Sequence, residues 1–416
     1  MPTLKFSLAF AMAGEPAEFK IMSNSRIEEA ITLMDGFAQR TGLTSKQPPR
    51  RYLWTDSFAV CNFLGLAYAT GEAQNRELAL RLVEQVHRTL GRHRSDDPRS
   101  GWISGLNERE GESHPTRGGL RIGKELSERA PDESIDERME WDRDGQYFHY
   151  LVKWMHALDQ VSRSTKDPRY NTWARELAKT AQNAFVYQTF PGREPEMYWK
   201  MSIDLKRPLV PAMGQHDPLD GYITSLQLRA TADGLPRSVS GPDLEDTARQ
   251  FSTMIAWGNL TSSDSLGIGG LLIDAHRVWQ LMQHGERPEE RLLECLLSAA
   301  RAGLKYYAVS GELQAPAQYR LAFRELGLVI GLHAVQRMWE AAQRSTANSP
   351  ANSTGVCVQL EALMRQVPLG EEIESFWRDP ANRTSSTWSE HRDINEVMLA
   401  TSLAPDGFLI LRHPDE

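Results

Sequence analysis

Four stretches of this chain concentrate side chains that can move protons. The densest is Glu140-Trp141-Asp142-Arg143-Asp144-Gly145-Gln146-Tyr147-Phe148-His149-Tyr150-Leu151-Val152-Lys153-Trp154. If a helix begins near Trp141, then Asp142, Gln146, His149 and Lys153 recur at steps of four, three and four residues and share one face. Tyr147, Phe148, Tyr150, Leu151 and Trp154 make the other faces apolar. A buried helix keeping such a line of titratable groups must pair them or set them along a wet cavity, because an unpaired buried charge is expensive. A pocket is the simplest explanation for this line of groups. The competing reading is an ion-pair network between helices, with His149 as a satisfied core histidine.

The second stretch runs from Tyr198-Trp199-Lys200 through Pro208, Pro211 and Gly214 to His216-Asp217-Pro218-Leu219-Asp220. Its prolines make it a connection, so His216 and Asp217 stand at the mouth of the helix that follows. Asp217 also reads as an N-cap with Pro218 at the first helical position. His216 and Asp220 have no such ready structural role. A third stretch, Asp264 to Gly270, leads into a helix with Asp274, His276 and Arg277; its glycines suit either a ligand or close helix packing. In the fourth, Thr387 and Glu390 form a capping box that places His391 at another helix mouth. His333, on a stripe with Leu326, Val329 and Ile330, reads as a core histidine.

Familiar motifs fail on inspection. Gly118 to Lys124 spells GxxxxGK, but Glu125 replaces the magnesium-binding Ser/Thr and no apolar strand precedes it. Gly267-Ile268-Gly269 meets Leu272 where a dinucleotide fingerprint needs glycine. There is no HExxH helix or GxSxG elbow, and Cys61, Cys295 and Cys357 lack metal-ligand spacing. No metal or cofactor is expected. The 47 basic and 55 acidic residues give a net charge of −8, which argues against nucleic acid or an anionic membrane as the main partner. No apolar run approaches the roughly 18 residues of a membrane span. Sparse cysteine suggests a reducing compartment. The short stretch Phe6 to Ala13 resembles a signal-peptide core only faintly, so the expected location is cytoplasmic.

The elements that must position these groups are helical. Apolar residues recur with helical period through most of the 416 residues, giving twelve candidates: one opening at a Ser25/Glu28 capping box, then 53–70, 73–90, 142–165, 170–189, 217–232, 243–257, 265–284, 289–306, 316–345, 356–366 and 389–403. Short breaks between them favour antiparallel neighbours. With no linker-like shift in composition, the expectation is an all-α (α/α)6 toroid of six hairpins spanning 1–416, with strand confined to 94–140 and the C-terminal tail. An open solenoid would show a sequence period, and none is found. The segment 94–140 is rich in charge, Gly and Pro; it reads as an ordered lid offering Trp102 or Arg121 to a ligand.

The pattern Asp-x-x-x-Gln-Tyr-Phe-x-Tyr-Leu-x-Lys-Trp-x-x-Ala-Leu over Asp142 to Leu158, with the helix count, resembles the six-hairpin carbohydrate-active proteins: toroidal glycoside hydrolases and N-acylglucosamine 2-epimerase-like sugar isomerases. The resemblance implies a central funnel for a neutral sugar or oligosaccharide, with Trp102, Trp141, Tyr147, Trp199 and Trp257 as stacking platforms. A glycosidase would draw two carboxyls from Glu140, Asp142, Asp144, Asp217 and Asp220. An isomerase would draw on His149, His216 and His391, and a non-catalytic toroid would only bind. The catalytic candidates are Asp142, His149, His216 and Asp217. Those for substrate binding are Trp102, Arg121, Glu140, Gln146, Trp199, Asp220 and His391.

Overall fold

The structure is a computed structural model that describes residues 17–190, 192–235, 241–289, 291–344 and 353–412. The signal-like stretch Phe6 to Ala13 lies outside the described residues. Thirteen helices carry the architecture: α1 Ala17–Arg40, α2 Leu53–Thr70, α3 Ala73–Leu90, α4 Phe148–Thr165, α5 Pro168–Phe185, α6 Asp217–Asp233, α7 Glu245–Thr253, α8 Ser265–Gln283, α9 Leu292–Val309, α10 Ala322–Arg344, α11 Thr354–Met364, α12 Val367–Arg378 and α13 Arg392–Leu403.

Six of them form an inner ring. Helix α2 packs on α4, α4 on α6, α6 on α8, α8 on α10, α10 on α13, and α13 returns to α2. The others back this ring: α3 on α2, α5 on α4, α7 on α6, α9 on α8, α11 and α12 on α10, and α1 on α13. The chain is an all-α (α/α)6 toroid. Sequence explains the two layers: α2 is buried at every position from Leu53 to Leu64, as a helix enclosed on all sides must be. Helix α3 buries one face, Asn75, Leu78, Ala79, Leu82, Val83, Val86, His87 and Leu90, and leaves most of its other positions to solvent. Between α8 and α10 a Cβ on Gly269 would lie 2.2 Å from the carbonyl oxygen of Gly327, so glycine there permits close helix contact.

Several expected boundaries move. Helix α1 begins at Ala17, so Ser25 and Glu28 lie inside it and form no capping box. Helix α12 is additional; its Pro368 sits in the first turn, where proline is tolerated. Helix α4 starts at Phe148, six residues after Asp142, because Gly145 takes a positive φ of 148° and Gln146 and Tyr147 become strand β1. The face through Asp142, Gln146, His149 and Lys153 is therefore not formed as one helical line. Strand β1 pairs with β4 (Lys200–Met201), which pairs with β5 (Pro208–Val210); β2 (Val186–Tyr187) pairs with β3 (Glu196–Met197). The strands thus belong to the connections flanking α4 and α5, and among the described residues none lies in the C-terminal tail.

All inner helices enter the ring at one end, where the long connections collect. The other end is stopped by residues 404–412. Phe408 stacks on Phe58 with centroids 4.3 Å apart, and its carbonyl accepts from His156 Nε2 at 2.9 Å. Gln160 donates to the Gly407 and Ile410 carbonyls at 3.0 and 2.9 Å, and Gln280 donates to that of Leu409 at 2.9 Å. Buried amides that would otherwise be orphaned are satisfied by this plug. Among the described residues, no helix is long and apolar enough to cross a membrane.

Candidate active site

The entry ends of α4 and α6 bring together residues far apart in sequence. His149 opens α4 and lies among four aromatic rings: Trp54, Tyr147, Tyr150 and Trp199, at centroid distances of 6.1, 5.1, 4.8 and 5.8 Å. Tyr150 shares a 2.5 Å hydrogen bond with Tyr52 across the α2–α4 boundary. One turn further along α4, Lys153 reaches Asp220 of α6 at 3.6 Å. Asp217, also on α6, is buried beside Asp220, and Gly214 makes room for it: a Cβ there would stand 2.5 Å from Asp217 Oδ2. Asp274 of α8 completes the cluster by hydrogen bonding to Asp220, while its Oδ1 accepts from Arg277 at 2.9 Å.

The electrostatics divide these carboxyls. Burial raises Asp217 to about 7, and the neighbouring Asp220 charge adds to it. Asp274 is raised to about 7 for the same two reasons, although Arg277 and Lys153 oppose them. For Asp220, burial pulls upward, but Lys153, the Asp274 hydrogen bond and Arg277 outweigh it and hold the carboxyl below its usual value. Burial lowers His149 to about 4 despite Asp220, so its imidazole is neutral. Below about pH 7 the cluster offers one ionised carboxylate flanked by two carboxyls that carry protons. Three buried polar atoms here have no partner: Trp54 Nε1, His149 Nδ1 and Asp217 Oδ2. Three orphaned polar groups gathered at one mouth suit a polar ligand.

Of the expected site residues, His149, Asp217, Asp220 and Trp199 gather here, and His216 caps their edge. The His216 Nε2 bonds the Leu260 carbonyl at 2.8 Å, and the residue is itself the N-cap of α6, so Asp217 is the first helical residue and not the cap. His391 is exposed, 6.0 Å from Phe323, at the mouth of α13 on the opposite side of the ring. Asp142 is exposed on the turn before β1, within electrostatic reach of Lys124 and Tyr147 at the outer rim. We expect Asp142→Asn to change unfolding free energy by less than about 0.5 kcal/mol, as free exposed positions do, and to slow turnover far less than Asp217→Asn; denaturant titration and assay of both variants check this.

Four expected ligand-binding residues have structural partners instead. Glu140 is buried between Arg129 at 3.0 Å and Lys200 at 3.1 Å. Gln146 is fully buried, donating to the Gly118 and Ile203 carbonyls and accepting from the Leu120 amide. Arg121 pairs with Asp144 at 2.8 Å and donates to the Thr89 and Arg92 carbonyls. Trp102 is buried under the Arg92 guanidinium, 4.6 Å from its ring, against Gly91 and Gly111. The segment 94–140 thus follows the outer wall, where Trp173 Nε1 of α5 donates to Ser113 O. It borders the mouth near Lys124, which lies 5.5 Å from the Tyr52 ring. Lys153 and Asp274 carry charge into the cluster, yet their neighbours in sequence are apolar and gave each only a weak signal; Tyr52 and Trp54 gave none.

No family model matches the chain, and no curated protein sequence does. Among solved structures, it is similar to a selenomethionine derivative of a GH76 α-mannanase of Bacteroides thetaiotaomicron, with a TM-score of 0.50 over 92% of this chain and 96% of that one, at 9% identity. At that identity the similarity shows the fold, the helical toroid that this chain shares with a glycoside hydrolase.

Proposed function

We propose that this protein is a carbohydrate-active enzyme that hydrolyses glycosidic bonds at the mouth of α4 and α6. The observation that carries the reading is the split between Asp220, held ionised by Lys153, and Asp217, raised to about 7 beside it. Glycoside hydrolysis needs such a division, one carboxyl giving a proton to the leaving oxygen while a carboxylate activates water or attacks the sugar carbon. Asp217 takes the acid role and Asp220 that of the carboxylate. Tyr147, Tyr150, Trp54 and Trp199 supply rings for the apolar faces of a sugar, and the toroid shared with an α-mannanase supports a neutral saccharide as ligand. The isomerase alternative has less support, since His391 stands across the ring from His216.

The test is sugar release from a panel of neutral oligosaccharides, α-mannosides included, by the parent and by Asp217→Asn. Activity in the parent and its loss in a folded variant support the assignment; epimer conversion without hydrolysis would replace it. The pH profile gives an independent check. With Asp217 as acid, kcat/KM falls as pH rises through about 7, and Asp217→Asn removes that limb. Stability follows the same groups. Asp217 and Asp274 have folded values above the ordinary carboxyl value, so the folded state binds protons more tightly than the unfolded one. Their contribution is full below about pH 4 and is lost as pH rises toward about 7.

A further inference from the structure

The far end of the toroid holds a hollow remote from the mouth. Its volume is about 390 Å³, and it opens between the last turns of α2 and α4, the start of α3 and the plug. Four basic side chains line it, Arg76, Arg163, Lys166 and Arg412, against one acidic residue, Glu72. Arg163 is neutralised by Asp159 at 2.8 Å. The other three have no carboxylate partner among the described residues. Arg412 instead lies over the ring of Tyr68, 3.4 Å from its centroid, and its backbone carbonyl accepts from Arg163 at 3.1 Å. Lys166 ends α4 in the left-handed conformation, with φ 59°, where glycine or asparagine is the usual choice; here the residue brings an ammonium to the rim. Ser164 adds a hydroxyl.

Three cations without an ion-pair partner, set against the single carboxylate of Glu72, leave the concavity with a positive excess in a chain of net charge −8. A compact anion relieves that excess, and the concave wall concentrates the field on it. Phosphate-type groups fit best, since guanidinium forks and ammonium groups both bond to their oxygens. We propose that this hollow binds a phosphate-type anion, as the free ion or as the phosphate of a small metabolite, through Arg76, Lys166 and Arg412. The volume falls within the usual range for small-molecule sites, which leaves space for a ring attached to the phosphate. The proposal does not depend on the reading of the mouth.

Calorimetric titration of the full chain tests it, with inorganic phosphate and a hexose monophosphate as separate probes at constant ionic strength set by chloride. Saturable binding of either is expected, weakened roughly tenfold or more in the double variant Arg76→Glu/Lys166→Glu, since each lost partner is a charged hydrogen bond. Tighter binding of the hexose monophosphate assigns the remaining space to the sugar, and equal binding assigns the site to the ion. Both substituted residues are exposed, and melting curves confirm folding; Lys166→Gln serves if the double variant fails to fold. A response that does not saturate, or an affinity that the substitutions leave unchanged, overturns the proposal.

Discussion

Asp220→Asn is expected to slow glycoside turnover by about 10²–10⁴-fold, the range over which a positioned acid or base contributes, while the protein melts close to its parent. The asparagine keeps the volume of the side chain but can neither attack carbon nor take a proton from water. Stability is preserved by the neighbour. Burial and the adjacent Asp220 charge raise Asp274 to about 7, so it keeps its proton below that pH. With that charge gone, Asp274 ionises more readily and supplies a counter-charge to Lys153 and Arg277. The buried positive charges are then not left alone, the condition under which breaking a buried pair becomes costly. Rates and melting temperatures on one sample decide the matter. Normal turnover in a folded Asp220→Asn protein would remove Asp220 from the chemistry.

Lys200→Met is expected to have the largest effect on stability, a loss of about 3–5 kcal/mol in unfolding free energy, typical of a buried pair deprived of one partner. Lys200 is fully buried in strand β4. Its ammonium donates to the Glu140 and Arg143 carbonyls at 2.5 and 2.9 Å and to the Glu140 carboxylate at 3.1 Å. Methionine fills the space and satisfies none of these acceptors. Because β4 pairs with β1 immediately before α4, the damage falls on the element that places His149. Denaturant unfolding measures the loss. A change below about 1 kcal/mol would return Glu140 to the pool of ligand-binding groups, since it would show the pair to be weakly held.

The toroid was legible because its helices obey a local rule: the stripe of α5, Tyr170, Trp173, Ala174, Leu177, Ala178, Ala181 and Phe185, is written in consecutive turns. The start of α4 was not legible in the same way. Asp142 and His149 lie at helical spacing, but Gly145 and the pairing of Tyr147 with Lys200 convert the first six residues to turn and strand, and that partner is distant in sequence. The segment 94–140 escapes a sequence reading for a related reason. Its tryptophan and arginine look available when listed alone, yet Arg92 covers Trp102 and Asp144 binds Arg121. Asp217 and Asp220 could be found from their place at a helix mouth. Asp274 could not be separated from an ordinary helical carboxylate, because its significance rests on Asp220, which approaches from another helix. Helix α12 is absent from the twelve expected helices although Val367, Ile373 and Trp377 keep the helical period.

The closed ring also governs how the chain can reach this state. The contacts that shut it join its two ends: Asn62 of α2 donates to Val397 O at 3.0 Å and accepts from Thr401 at 2.9 Å, and Arg40 of α1 bonds Asp393 at 2.9 Å and Glu396 at 2.5 Å. These partners stand 335 to 356 residues apart. Most helical proteins fold quickly because their contacts are local; here α1 and α2 must wait for α13 before either has its final neighbour. A chain truncated before α13 would leave Asn62 and the lower ends of α2 and α4 without partners, so the early hairpins wait as an incomplete, partly exposed arc. Refolding from denaturant should accordingly show rapid gain of helix followed by a slow phase as the ring closes, the kinetic signature of a large topology with a populated intermediate.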